Sequence, residues 1–224
     1  MIDKLIDFFF PRFCPICGEL DIVLCDICER ELGTASQICP ICGEESLMGW
    51  THGGCKKKGH LDGLISLFEY GDSSVRKVID SIKYDFNKEL IPRLFKKVEI
   101  EIGERFDFVV PVPLHYYRSN WRGFNQAELT GKALATKLPE VGFENLLIRK
   151  VNTPQQVKML SREKRKRNVI DVFDLNPEIK EIDLKYKKVL LVDDVFTTGA
   201  SMGECCKVLK SAGVEVVWGF TLAH

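Results

Sequence analysis

No run in this 224-residue chain approaches the ~20 consecutive apolar residues that a membrane-spanning helix needs. Net charge is missing as well: 32 Lys and Arg balance 32 Asp and Glu, so no overall field draws the chain to nucleic acid or to an anionic membrane. The opening residues, MIDKLIDFFFPRF, lack a basic segment followed by a long apolar one, so a secretory signal is not expected and the cytoplasm is the expected location. Cysteine is absent from residues 56–204, although the chain holds nine, seven of them before residue 56. That clustering argues against a disulfide framework and for metal ligation.

With 45% hydrophobic residues, the chain can bury one sizeable core and something smaller beside it. Ile2, Leu5, Ile6 and Phe9 follow the i, i+3, i+4, i+7 spacing of an amphipathic helix, which Pro11 would close. Such a helix is expected to pack on its own protein; contact with a membrane surface is the alternative.

Four ligand pairs at two-residue spacing occupy residues 12–60: Cys14/Cys17, Cys25/Cys28, Cys39/Cys42 and His52/Cys55. A C-x-x-C turn points two thiolates at one tetrahedral ion, and two such turns close a structural Zn2+ site. Eight ligands therefore predict two structural zinc ions. Sequential pairing makes one all-cysteine site and one site of three cysteines and a histidine. Interleaved pairing is geometrically open, and His60 competes with His52 for the fourth place. A module with few large apolar residues needs such staples to fold. Residues 1–60 are slightly acidic, with six basic against nine acidic residues, and the one basic run is CKKKGH at 55–60.

Residues 62–224 read as an α/β unit with a mostly parallel sheet covered by helices on both faces. VRKVIDSIKYDF places Val75, Val78, Ile79 and Ile82 on one helical face. FDFVVPVPL is a buried strand stopped by Pro111 and Pro113, and NQAELTGKALATKL follows as a helix. KKVLLVDDV is a second buried strand, SMGECCKVLKSAG a helix ended by Gly213, and VEVVWGFTLAH a last strand. Residues 142–186 show no clear element, and SREKRKRN packs five basic residues into eight, either a solvated face or a wall for an anion.

VLLVDDVFTTGAS, residues 189–201, carries the chemistry. Asp193 and Asp194 fall where a parallel sheet presents ligands, at a strand's C-terminal end. Burying two adjacent carboxylates without donors is costly. Behind them Thr197, Thr198, Gly199, Ala200 and Ser201 lead into a helix N-terminus, whose free N–H groups favour a phosphate. Acceptors beside a phosphate cradle match a ribose phosphate.

This stretch resembles the phosphoribosyl pyrophosphate (PRPP) signature of type I phosphoribosyltransferases. Together with VVPVPLHYYRSNWRGFNQA at 109–127, QQVKMLSREKRKRNVIDVF at 155–173 and the cysteine-rich N-terminus, the chain resembles the ComF/GntX family of competence-associated proteins. The spacing from Gln156 to Asn168 is one residue longer than in that pattern. The resemblance implies a type I phosphoribosyltransferase fold behind a double zinc ribbon, and PRPP bound with Mg2+. It implies that Asp193 and Asp194 hold the ribose diol and that Thr197 to Ser201 hold the 5′-phosphate. Arg118 and Arg122 would meet the pyrophosphate, with Arg122 and Lys83 the catalytic cations. Asn125 and Gln126 would order the loop or touch ligand, and Arg165 and Asn168 would ride on a closing flap.

Three functions compete. The first is a phosphoribosyltransferase with an unidentified acceptor, linked by resemblance to DNA uptake. The second is a non-catalytic PRPP-sensing adaptor. The third is a single-stranded DNA handling factor, suggested by Tyr116, Tyr117, Trp121 and Phe124 among Arg118 and Arg122. The partners implied are PRPP, single-stranded DNA and DNA-uptake proteins.

Overall fold

A computed structural model describes residues 12–97, 103–114, 123–150, 172–179 and 182–224. The helix expected at 2–9 lies outside them. A five-stranded parallel sheet organises the rest. Its strands are β1 (Gly63–Phe68), β2 (Phe108–Pro111), β3 (Gly142–Phe143), β6 (Lys188–Val195) and β7 (Val216–Ala223), in the order β1-β7-β6-β2-β3. A separate antiparallel pair, β4 (Leu147–Arg149) and β5 (Phe173–Leu175), occupies the stretch whose sequence showed no clear element.

The helices are α1 (Asp26–Arg30), α2 (Ser73–Tyr84), α3 (Leu90–Lys97), α4 (Gln126–Ala135) and α5 (Ala200–Ser211). Asp72 starts α2 by accepting from the Ser74 and Val75 N–H groups, at 2.6 and 3.2 Å. The four apolar residues expected on its inner face are all buried. Helix α3 and strand β1 have no counterpart among the elements expected from sequence. Pro92 sits in the first turn of α3, where a missing N–H costs nothing.

Side chains alternate along β6. Leu190 and Val192 join the α2, α3 and α4 side of the sheet, while Val189 and Leu191 join α5 and the β4–β5 pair. All four are fully buried, which is why the strand reads as an unbroken apolar run.

Strand β1 would be an exposed edge, but the cysteine-rich segment covers it. The Ala35 N–H donates to the Leu67 carbonyl, and the Gln37 amide brackets Ser66, donating to its carbonyl at 2.9 Å and accepting from its N–H at 3.0 Å. Trp50 bridges to Gly63, and its ring meets Trp218 edge-on at 4.6 Å. A Cβ on Gly63 would lie 2.7 Å from the Trp218 ring, so only glycine allows this approach. Asp62, with its side chain 8% exposed, is held by Lys210 (2.6 Å), Lys56 (3.1 Å) and the Val217 N–H (2.9 Å). Burial opposes its charge, but these three partners outweigh burial and keep the carboxyl below its ordinary value.

The first cysteine cluster docks on α2 and α3. Cys14, Leu24, Cys25, Cys28 and Leu32 share one apolar core with the inner faces of those helices. Arg93 of α3 reaches Asp26 (2.5 Å) and Glu29 (2.7 Å) on α1, and Lys77 of α2 donates to the Ile16 carbonyl. Removing the guanidinium takes the 2.7 Å ion pair from Glu29, whose side chain is mostly covered. Arg93→Ala should therefore cost about 2 kcal/mol in urea unfolding of the zinc-loaded protein, and adding Glu29→Gln should recover part of it.

Candidate functional site

Two ligand clusters form in the cysteine-rich segment: Cys14, Cys17, Cys25 and Cys28, then Cys39, Cys42, His52 and Cys55, the ligand atoms of each within 4.8 Å of one another. Pairing is sequential, and His52 takes the fourth place. His60 instead turns its Nδ1 to the Cys55 carbonyl at 3.2 Å. Tetrahedral Zn–S bonds of about 2.3 Å put sulfur atoms about 3.8 Å apart. Cys17 and Cys25 Sγ are 3.8 Å apart, and Cys42 Sγ lies 3.4 Å from His52 Nδ1. Both donor sets fit Zn2+ with no open position.

Thiol ionisation is uneven within each cluster. Burial opposes a thiolate at Cys14 and Cys39, but converging backbone N–H groups bring each down to about 7. Burial and the neighbouring sulfurs push Cys28 well up and Cys55 to about 11. A crowd of sulfurs that cannot all ionise alone is what a dication resolves. Elemental analysis should give two zinc ions per chain, and Cys39→Ser should leave one; a chelator at mildly acid pH should strip both and expose the β1 edge.

A second site lies at the C-terminal ends of β2 and β6. After β2 the chain turns through α4 to β3; after β6 it turns the opposite way through α5 to β7. A crevice opens where neighbouring strands send their connections in opposite directions. Here it is a cavity of about 430 Å³ whose lining includes Lys83, Tyr84, Asn125, Gln126, Arg149, Asp193, Asp194 and Ser201.

Asp193 and Asp194 end β6 half-buried, and the Asp194 N–H donates to Asp193 Oδ1 at 2.9 Å. Burial, then the Asp194 charge, push the Asp193 carboxyl up to about 7, against partial relief from Lys83 and Arg149. Lys83, from the last turn of α2, sets its Nζ 3.3 Å from Asp194 Oδ2, the two side chains 16% and 20% exposed. Asn125 caps α4: its Oδ1 accepts from the Ala127 N–H, and its Nδ2 donates to the Val112 carbonyl at 3.1 Å. It thereby ties the end of β2 to the start of α4. Gln126 is 1% exposed, and neither atom of its side-chain amide has a partner among the described residues. A buried amide facing a cavity without partners calls for a polar ligand or water there.

Residues 196–199 carry the chain from β6 into α5. Gly199 is left-handed (φ 67°), and a Cβ there would meet the Phe196 ring at 2.6 Å. Thr198 Oγ1 accepts from the Ala200 N–H at 3.4 Å. Thr197 is exposed, and Ser201 reaches the cavity lining. The loop thus aims the first N–H groups of a 12-residue helix at the cavity.

Of the site residues expected from sequence, Lys83, Asn125, Gln126, Asp193, Asp194 and Ser201 come together, with Thr197, Thr198, Gly199 and Ala200 forming the adjoining turn. Arg118, Arg122, Arg165 and Asn168 lie outside the described residues, as do Tyr116, Tyr117 and Trp121. Sequence reasoning missed Tyr84 and Arg149. Arg149 ends β4 over the Phe173 ring, 5.2 Å from its centroid, and the alternation in LLIRK was the one available signal.

The fold and the paired clusters define a class: a phosphoribosyltransferase-type α/β domain behind a double zinc ribbon. Family profiles agree, matching "Phosphoribosyl transferase domain" to residues 125–223 and "Double zinc ribbon domain" to residues 5–57. Competence protein F of Haemophilus influenzae is 37% identical over 117 residues, 51% of this chain and 50% of that protein. Competence protein ComFC of Streptococcus pneumoniae is 30% identical over 146 residues, 63% of this chain and 60% of its own length. The DNA utilization protein YhgH of Escherichia coli K12 is 27% identical over 163 residues, 69% and 68% respectively. Over those stretches the chain is similar to competence and DNA-utilization proteins, and the matches span about half to two thirds of each relative's length. No helix among the described residues is long and apolar enough to cross a membrane.

The carboxylate pair sets a pH dependence. Asp193 titrates higher folded than unfolded, so the folded state holds the extra proton between about pH 4 and 7, and its stability contribution falls as pH rises through that window. Asp193→Asn should raise the melting temperature by about 3 °C at pH 8 and by less at pH 5.5 in differential scanning calorimetry.

Proposed function

We propose that the β2/β6 cavity binds PRPP with Mg2+ and that the chain is a phosphoribosyltransferase acting in DNA uptake or utilisation. One observation carries the reading: two adjacent carboxylates end β6 at the crevice, followed at once by a left-handed glycine turn that opens α5. Asp193 and Asp194 would accept from the ribose diol, and the turn from Thr197 to Ser201 would donate to the 5′-phosphate. The loop between β2 and α4, its end tied down by Asn125, would face the pyrophosphate, with Arg118 and Arg122 as its cations and Gln126 at its inner end. Arg165 belongs to the basic segment that would close over the site and exclude water. The cavity's oxygen donors suit a hydrated Mg2+ that arrives on the pyrophosphate. That ion would supply charge neutralisation for the leaving group. The names of the Haemophilus influenzae and Escherichia coli relatives support the link to DNA.

A non-catalytic, PRPP-sensing role is the second reading, favoured by the Lys83–Asp194 ion pair. A diol taking Asp194 would loosen that contact and report occupancy to α2.

Calorimetric titration of PRPP with Mg2+ tests both. The wild type should bind, and the Asp193→Ala/Asp194→Ala protein should lose at least about 10-fold in affinity. No heat in the wild type would sink both readings. Binding with no pyrophosphate release across a panel of acceptors would leave the sensor.

A further inference from the structure

We propose that the second Cys/His cluster is a site of oxidative modification, at which a hydroperoxide joins Cys42 to Cys55 in a disulfide and so frees the cap on strand β1. The two clusters share a ligand spacing but not an environment. In the first, Cys14, Cys25 and Cys28 are buried in the apolar core formed with α2 and α3, and α1 is clamped to α3 through Arg93. The second adds no ligand to either apolar core of the described residues. Only Cys39 is buried there; Cys42 is exposed, and His52 and Cys55 are half-buried. Gly53 and Gly54 join His52 to Cys55, with open space where side chains would stand, whereas the matching pair of the first cluster is braced by helix α1.

A zinc-bound sulfur is a thiolate, so access to solvent decides which sulfur meets an oxidant. Cys42 is the sulfur of this cluster that a hydroperoxide reaches first. Its thiolate attacks the peroxide oxygen: an S–O bond forms, the O–O bond breaks, and hydroxide or an alkoxide leaves with the electron pair. The Cys55 thiolate then attacks the sulfenic sulfur, forming the disulfide and expelling hydroxide. Two thiolates lose two electrons and the peroxide gains them. The ligand atoms of the cluster lie within 4.8 Å of one another, so the pair can close with little movement. Cys39 and His52 are then left, where a structural zinc site needs four ligands.

Residues on both flanks of His52 and Cys55 hold the corner ahead of β1. Thr51 donates its N–H to the Asp62 carbonyl at 3.0 Å and its hydroxyl to the Leu61 carbonyl at 2.6 Å. Lys56 pairs with Asp62 at 3.1 Å, and Trp50 bridges to Gly63. Losing the ligand geometry between these anchors loosens them together and uncovers the β1 edge. Asp62 keeps Lys210 and the Val217 N–H, so the sheet itself stays intact.

The test adds hydrogen peroxide stepwise to the zinc-loaded full chain and reads zinc release with a chromogenic chelator. One of the two ions should leave, and non-reducing peptide mapping should show Cys42 bonded to Cys55. Dithiothreitol with added Zn2+ should reverse both changes. Backbone hydrogen exchange should rise across residues 61–68 and stay slow across residues 188–192. Cys42→His keeps a ligand for the ion but has no sulfur to attack the peroxide, so its second ion should stay bound at the same dose. Should that variant fail to load two ions, the wild-type map still decides. Release of both ions together, or of neither, overturns the proposal. So does a disulfide within the first cluster, or one joining Cys39 to Cys42. Loss of protection across 188–192 together with 61–68 also overturns it, because that is unfolding rather than uncapping.

Discussion

Strand β6 is the constraint on which everything else hangs. It is hydrogen-bonded to β2 on one side and β7 on the other, and its Val189 to Val192 run is sealed on both faces. Such a strand has nowhere to place a charged side chain except beyond its sealed portion. Asp193 and Asp194 occupy that position, and the opposite departures of the β2 and β6 connections leave a crevice directly in front of them. Burial first, then the adjacent Asp194 charge, hold the Asp193 carboxyl up at about 7, and Lys83 pairs with Asp194. Unfavourable by itself, this arrangement is poised for a ligand that brings hydroxyl donors.

The double zinc ribbon serves the same sheet. Its first cluster is built into the apolar core over α2 and α3, and its second segment caps the β1 edge through Ala35, Gln37 and Trp50. Metal ligation therefore does more than hold a small appendage together. It covers an edge that would otherwise invite pairing with another chain. Helix α2 joins the two halves, with Lys77 on the ribbon and Lys83 in the cavity.

Legibility from sequence followed the strength of the local pattern. The α2 and α5 faces, helix α4, strands β2, β6 and β7, and the eight residues of the two Cys/His clusters were readable because each rests on short-range periodicity or spacing. Strand β1 was missed because GLISLF is a short apolar run, buried throughout, with no alternation to mark it. Helix α3 was missed because Pro92 in ELIPRLFKK reads as a breaker until its place in the first turn is known. Arg149 was missed because the β4–β5 pair joins residues 147–149 to 173–175 across a long sequence gap.

The sequence by itself determined the chemistry on offer: two sets of four zinc-type ligands, a carboxylate pair ahead of a glycine turn, and the resemblance those motifs carry. These are properties of neighbours along the chain, where residue type and spacing set geometry within a few bonds. Only the tertiary structure decided that zinc pairing is sequential with His52 and that Asn125 ties β2 to α4. It alone brought Lys83, Tyr84 and Arg149 to the same crevice as Asp193. Those are meetings between distant segments, and they follow from sheet order and packing, which no local spacing encodes.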